Sequence, residues 1–306
     1  MKPSGWLMHL TVRALTESMD VRSMIHLVRR LVPNYNLGER TGFSDDISMP
    51  DKDVAIQIVR DLTKKDLMLD FIILLIGVQE SGLGGRKYNI PHLPEILGEV
   101  RKAGLIYDED SRMFFEDPRI RRTRNWGVLR ENEEYSFTFL KIDIAGNSTL
   151  VRENPADVIQ ATYSDLRSIV QVSSEKRNGR IWKWEGDGGL VAFYFASKDI
   201  KAVLTAMEII HELHIYNIVK CRLNKPLRVR IAVHSGPCRY FHNSDSIGGD
   251  TIKKIMDLEE NCTQPDSITI SKPVFNMAHQ AMSHFFEPVS YGANTSYYTY
   301  TLKWEK

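Results

Sequence analysis

From Tyr135 onward the apolar pattern alternates between a period of two and a period of 3.6 residues. The resulting order is strand, helix, strand, strand, helix, strand. That order constrains the chain more than any other feature, because few folds accommodate it. Strands are predicted over 137–144, 179–184, 189–195, 227–234, 267–271 and 296–304, the last ending at Trp304. Helices are predicted over 158–173, 199–221, 251–260 and 272–282. The 179–195 stretch reads as a hairpin turning at Glu185-Gly186-Asp187-Gly188. The expected fold class is α/β, an α+β sandwich with helices packed on a mixed sheet.

The first ~125 residues follow a different, mostly helical pattern. Met24, Ile25, Leu27, Val28 and Leu31 recur at helical spacing over 21–31, and Pro33 stops that helix. Pro50 followed by Asp51 and Asp53 suits a helix start for 51–62. Further helices are predicted over 67–78 and 93–103, the latter ended by Gly104. Residues 105–107 and 113–115 then read as a β-hairpin. The expected division is a helical domain over 1–125, a linker over 126–134 and the α/β domain over 135–306. Residues 118–132 carry Arg119, Arg121, Arg122, Arg124 and Arg130. Such a run either binds phosphates or is a solvated linker, and its position favours the linker.

Several function classes drop out on bulk grounds. Lys plus Arg is 40 against 39 for Asp plus Glu, so no general nucleic-acid or membrane-surface binder is expected. The apolar run 67–76 contains Asp70 and is far shorter than the roughly 20 residues a membrane span needs. Trp6 to Leu10 is too short for a secretory signal and is followed by Arg13. Cys221, Cys238 and Cys262 are odd in number and lack CxxC spacing, which points to a reducing cytosol.

Two carboxylates stand where chemistry is plausible. Asp143 ends an apolar strand before Ile144-Ala145-Gly146-Asn147-Ser148, and Asp187 lies in a Gly-Asp-Gly hairpin turn. Alone, each reads as a turn residue. Together, this strand order brings both to one edge, where Mg²⁺ or Mn²⁺ would find carboxylate oxygens and share them with a triphosphate. Gly146, Asn147 and Ser148 lead into a helix whose free N–H groups suit phosphate.

The segment Phe139-Leu140-Lys141-Ile142-Asp143-Ile144-Ala145-Gly146-Asn147-Ser148 resembles the first strand and phosphate loop of class III adenylate and guanylate cyclases. Lys183-Trp184-Glu185-Gly186-Asp187-Gly188 resembles their second metal turn. The stretch from Val229 through His234-Ser235-Gly236-Pro237 resembles their His-Thr-Gly strand. Gly249-Asp250-Thr251-Ile252 resembles the start of their dimer-interface helix. The likeness covers about 135–304, four blocks in order. It implies a ferredoxin-like βαββαβ cyclase core, a nucleoside triphosphate substrate, two divalent ions and a head-to-tail homodimer with the site between chains. It implies that Asp143, Asp187 and the Ile144 carbonyl hold metal, and that Lys183 contacts the base. Ser246 falls where adenylate cyclases often carry Asp.

This chain departs from the pattern on the interface helix. Lys253 and Asp257 stand where the family usually has an Asn and an Arg for the transition state. Loss of such an Arg costs roughly 10³ to 10⁵ in rate in related phosphoryl transfers. Lys253, with Lys254 and Arg230 as further candidates, is expected to restore charge there. These departures resemble the pyrimidine cyclases of Pycsar anti-phage systems. Lys141 shares strand parity with Asp143, and reads equally as a donor to a pyrimidine carbonyl or as a sheet-edge lysine. Trp182 and Trp184 read as base-stacking rings or, more readily, as core aromatics. An adenylate cyclase and a catalytically silent nucleotide regulator stay open. A diguanylate cyclase is disfavoured, since Gly248-Gly249-Asp250 opens a helix. The N-terminal region loosely resembles effector-associated or winged-helix modules, implying a sensory or partner-binding role.

Overall fold

A computed structural model describes residues 2–41, 49–120, 122–291 and 295–302. The chain divides into two units, Met1–Arg122 and Thr123–Lys306. In the first, α1 (Gly5–Ser18) starts where the Ser4 hydroxyl accepts from the Leu7 N–H. It buries Leu7, Leu10, Thr11, Ala14 and Leu15, a stripe at helical spacing. The sequence reading missed this helix, having weighed only part of the stripe, and only as a secretion signal. Next come α2 (Val21–Val28), capped by Asp20, α3 (Leu37–Thr41) and α4 (Asp51–Lys64). The α2 helix stops before the expected Leu31, and the chain continues in tighter turns through Val32. Then α5 (Met68–Ser81), α6 (Leu93–Lys102) and the antiparallel pair β1 (Leu105–Asp108) and β2 (Met113–Glu116) complete the unit. Its core joins Leu7, Met24, Ile58, Phe71, Ile96 and Phe114.

The second unit contains β3 (Glu134–Ile144), α7 (Asn147–Glu153), α8 (Ala156–Glu175), β4 (Arg180–Glu185) and β5 (Gly188–Phe193). It continues with α9 (Lys198–Val219), β6 (Val229–Arg239), α10 (Asp250–Cys262) and β7 (Ser267–Ser271). The last elements are α11 (Lys272–Met282), β8 (Glu287–Tyr291) and β9 (Thr295–Thr301). Among the described residues the sheet runs β4-β5-β3-β6-β7-β9-β8. It is antiparallel except for β6 and β7, so the unit is a mixed α/β fold with the expected βαββαβ core. The β8 strand escaped the sequence reading. Its Glu287-Pro288 start and polar Ser290 give no clean alternation. The expected last strand reached Trp304, which, like Arg121, lies outside the described residues.

Strand parity sorts the two faces. Leu140, Ile142 and Ile144 of β3 pack with Leu166, Ala206 and Ile209 of α8 and α9. The alternate residues Phe137 and Phe139 face the other way, onto Trp126, Trp182 and Tyr194. This corrects the expectation of a linker over 126–134. Trp126 is fully buried, and its indole donates to the Asn178 carbonyl at 2.8 Å. The segment is apolar at the positions that matter, and an arginine count does not reveal that. Trp182 is likewise no base-stacking ring, being fully buried and donating to the Arg124 carbonyl at 3.0 Å. Trp184 lies over Gly189 and donates to the Gly186 carbonyl at 3.2 Å. The three cysteines are free. Among the described residues no helix is long and apolar enough to cross a membrane.

His234 on β6 is buried, with Nδ1 2.8 Å from the Ser271 hydroxyl. Burial, with Lys254 adding to it, lowers its pKa from 6.5 to about 4. Between those values the unfolded chain binds a proton that the folded chain does not. Stability is therefore full above pH 6.5 and falls as the pH drops toward 4, by about 1.4 kcal/mol per pH unit from this residue. Thermal melts across that range should show the slope, and His234→Asn should flatten it.

Candidate active site

The candidate site forms at the end of β3, and pairing register builds it. Asp143 lies opposite Gly188 of β5 on one side and opposite Arg230 of β6 on the other. Asp187 sits in the turn immediately before Gly188. The hairpin thus delivers its carboxylate beside the end of the central strand. Lys141, two residues before Asp143, shares its face of the sheet. Lys183 pairs with Leu190, which also pairs with Lys141, so Lys183 stands on that face too. A β-bulge at Trp182 makes this arrangement fit: the extra residue goes into the aromatic core while Lys183 keeps its register.

Asp143 is held from two sides. Arg230 Nη2 donates to Oδ2 at 3.0 Å, and Lys141 Nζ stands 3.8 Å from Oδ1. Burial still pushes the Asp143 carboxyl above the usual carboxylate range, Asp187 adding to the shift and the two cations opposing it. Arg230 Nε also lies 2.7 Å from Glu259 Oε1, an ion pair rather than an aligned hydrogen bond. Glu259 is buried on α10, and burial raises its carboxyl as well. Arg230 was expected as a catalytic cation facing the substrate. It is instead committed to two carboxylates of its own chain. Lys141 lies on the Asp143 face, as its strand parity implied, with its ammonium donating to the Ile142 carbonyl at 3.2 Å.

Gly188 is required by close approach. A Cβ there would lie 2.7 Å from Asp143 Oδ1 and closer still to the Ile142 carbonyl. The space left at the Asp143 carboxylate is a feature of the site. Gly188→Ala should lower activity about a hundredfold, since a shift near 1 Å in a reacting group has that effect. It should also destabilise by about 1–3 kcal/mol through overpacking. Steady-state kinetics and a thermal melt test both expectations.

Two carboxylates at a strand end and the adjoining turn are the hard oxygen ligands that Mg²⁺ or Mn²⁺ take. Among the described residues no group of three or more His, Cys, Asp or Glu converges on one point. Asp143, Asp187 and the Ile144 carbonyl would therefore need substrate oxygens to complete a coordination shell. At the adjoining loop, Gly146 in a left-handed conformation (φ 71°) starts α7, and no side chain caps that start. Ser148 is exposed, while Asn147 Oδ1 accepts from the Tyr163 hydroxyl at 2.7 Å.

Lys183 pairs with Glu185 at 2.8 Å and with Asp245 at 3.5 Å. The Glu185 hydrogen bond raises its pKa. Ser246 ends the short turn Ser244–Ser246, and the carboxylate beside Lys183 belongs to its predecessor, Asp245. The sequence reading did not weigh Asp245, whose carboxylate lies 3.5 Å from Lys183. It also missed Glu259, for which a signal exists: the residue falls on the buried stripe Thr251, Ile252, Ile255, Leu258, Glu259. An acid on a buried stripe demands a partner. Lys253 and Lys254 are exposed on α10.

No protein-family model and no curated protein matches the sequence. Similar folds occur among solved structures. The guanylyl cyclase domain of the RhoGC fusion protein from Blastocladiella emersonii is 18% identical, with 56% of this chain and 98% of that one covered at a TM-score of 0.48. The adenylate/guanylate cyclase/hydrolase from Silicibacter pomeroyi is 21% identical, covering 56% and 99% at 0.47. The adenylyl cyclase CyaB from P. aeruginosa is 18% identical, covering 58% and 98% at 0.48.

Proposed function

We propose that this chain is a nucleotidyl cyclase, converting a nucleoside triphosphate into a 3′,5′-cyclic nucleotide and diphosphate. The observation that carries the reading is the register that sets Asp143 beside the Asp187 turn, flanked by Lys141 and Arg230. In the reaction the 3′-oxygen attacks the α-phosphorus, the ring closes, and the bond to the β-phosphate oxygen breaks. Bound Mg²⁺ or Mn²⁺ would supply Lewis-acid charge at the phosphates. Gly146 and the first amides of α7 would hold phosphate oxygens, and Asp143 and Asp187 would place the ions. The working form in this reading is a homodimer, Lys183, Lys253 and Ser246 of one chain completing the site of the other. The N-terminal unit serves as a sensory or partner-binding module of a cytoplasmic signalling enzyme in anti-phage defence.

For the base, the reading is a pyrimidine, UTP ahead of CTP. It rests on Ser246 in place of the usual Asp and on the altered pair Lys253 and Asp257. Lys183 donates to a carbonyl, and Asp245 accepts from the neighbouring ring N–H. The same Lys183–Asp245 pair, 3.5 Å apart, is the one observation that favours a second reading. Adenine N1 accepts and its amino group donates, so an adenylate cyclase would use that pair equally well. Incubation with UTP, CTP, ATP and GTP under identical Mn²⁺, with products identified by mass, decides both questions. Cyclic UMP as the main product is the expected outcome, at kcat/KM about tenfold or more above ATP. An ATP preference of that size replaces the pyrimidine reading, and no cyclic product at all ends the enzyme reading.

A further inference from the structure

We infer that Glu259, buried on α10, is a positioning residue for Asp143: through Arg230 it keeps one carboxylate oxygen of Asp143 open to a divalent cation. The inference rests on the cyclase reading and concerns how its metal carboxylate is aimed. Glu259 is only 5% exposed and lies on the helix stripe that otherwise buries Thr251, Ile252, Ile255 and Leu258. A carboxylate in that place demands a cation. Arg230 supplies it, with Nε 2.7 Å from Glu259 Oε1. The same guanidinium donates through Nη2 to Asp143 Oδ2 at 3.0 Å. One planar head therefore spans two carboxylates, one from the helix and one from the central strand.

The β3–β6 register fixes where the Arg230 backbone stands, opposite Asp143, but not how its long side chain turns. A guanidinium beside a single carboxylate favours two parallel bonds, one to each oxygen. Taken side-on, that fork needs Nε and Nη2 together on Asp143. Glu259 holds Nε, so Nη2 alone reaches Asp143 and only Oδ2 is used. Among the described residues Oδ1 accepts no hydrogen bond. Lys141 stands off it at 3.8 Å, its ammonium donating to the Ile142 carbonyl. On the neighbouring strand Oδ1 faces Gly188, where a Cβ would come within 2.7 Å of it. Glu259 and Gly188 thus serve the same oxygen, one by restraining a competing cation and the other by leaving out a side chain. A hard divalent ion takes such an oxygen. With no Glu259 to hold Nε, Arg230 would close on both oxygens, and the ion would have to displace it.

The test uses Glu259→Met, which keeps the bulk on the buried stripe and offers Arg230 no acceptor. The full chain is saturated with 3′-deoxyuridine triphosphate, or 3′-deoxyadenosine triphosphate if ATP is the better substrate, so that no turnover occurs. It is then titrated with Mn²⁺, and free Mn²⁺ is read by electron paramagnetic resonance. The Kd for Mn²⁺ should rise at least about tenfold, the usual effect of losing a partner that orients a metal ligand. A crystal structure of the variant should show Nε and Nη2 of Arg230 both at about 3 Å from Asp143. The double variant Arg230→Met with Glu259→Met removes the competing cation too, and replacing a buried ion pair by apolar groups is often neutral, so its Kd should return to within about threefold of the wild type. An unchanged Kd in Glu259→Met overturns the inference, as does a raised Kd with Arg230 unmoved, or a loss in the double variant as large as in the single one. If Glu259→Met does not fold, the double variant decides. A wild type that forms cyclic product while these expectations fail keeps the cyclase reading and loses only this inference. No product from any triphosphate, with no Mn²⁺-dependent nucleotide binding, removes both.

Discussion

Asp187→Asn abolishes cyclic product while leaving the protein folded to within about 0.5 kcal/mol, as befits a surface change with no partner to lose. Asp187 sits in the turn between β4 and β5, is partly exposed, and makes no ion pair among the described residues. The folded state therefore gains little from its charge. Catalysis loses much more, because a neutral amide is a poor ligand for a hard divalent ion and leaves triphosphate charge uncompensated. A fall of at least about 10³ in kcat is expected. Asp143→Asn should lose product equally but behave differently in a melt. It removes the negative charge from the acceptor of the 3.0 Å bond from Arg230 and leaves that guanidinium with Glu259 as its one carboxylate among the described residues. A loss of about 1.5–3 kcal/mol follows for a hydrogen bond to a charged group. Product assays with thermal melts on both variants separate the two effects. Near wild-type turnover in either one removes the site.

Two inactive chains should restore activity to each other. In the proposed homodimer Lys183 and Lys253 complete the site built on the neighbouring chain's carboxylates, so an Asp187→Asn chain still offers intact lysines and a Lys183→Ala chain intact carboxylates. Random pairing makes about half of the dimers mixed, each with one sound site of two, so recovery should reach about a quarter of wild-type activity. Each variant alone should stay below one per cent, on the order of the loss above. The measurement is cyclic product against mixing ratio, with light scattering for mass. Full activity from a monomer, or no recovery after subunit exchange, rules out a shared site.

How much of this was legible in the sequence differs by element. The β3, β4, β5 and β7 strands announce themselves through apolar runs bounded by turn residues, and their order alone predicts the neighbours of Asp143. The α1 helix was equally legible, with its stripe in plain view, but part of it was read for secretion instead of packing. β8 lacks such a signal. The site divides in the same way. Asp143 and Asp187 are visible because strand end and hairpin turn are visible. The commitment of Arg230 to Asp143 and Glu259 is not, because it depends on a β3–β6 register and on how α10 lies over the sheet. Asp245 went unweighed because its approach to Lys183 depends on how the 244–246 turn folds back toward β4.

The segment from Thr123 to Trp126 makes two bonds to the strand that carries Lys183 and one to the turn just before it. The Thr123 carbonyl accepts from Arg180, the Arg124 carbonyl from Trp182, and the Trp126 indole donates to Asn178. Those contacts run from the turn before β4 into the strand like stitches, the last of them one residue short of Lys183. The segment therefore works as a splint: its bonds to Arg180 and Trp182 tie the start of β4 to the chain ahead of β3, next to Lys183. A fragment trimmed to begin at the first residue of β3 would keep Asp143 and Asp187 and lose the splint. Under the proposed function its expected defect is a looser hold on the base by Lys183, with the carboxylates still in place.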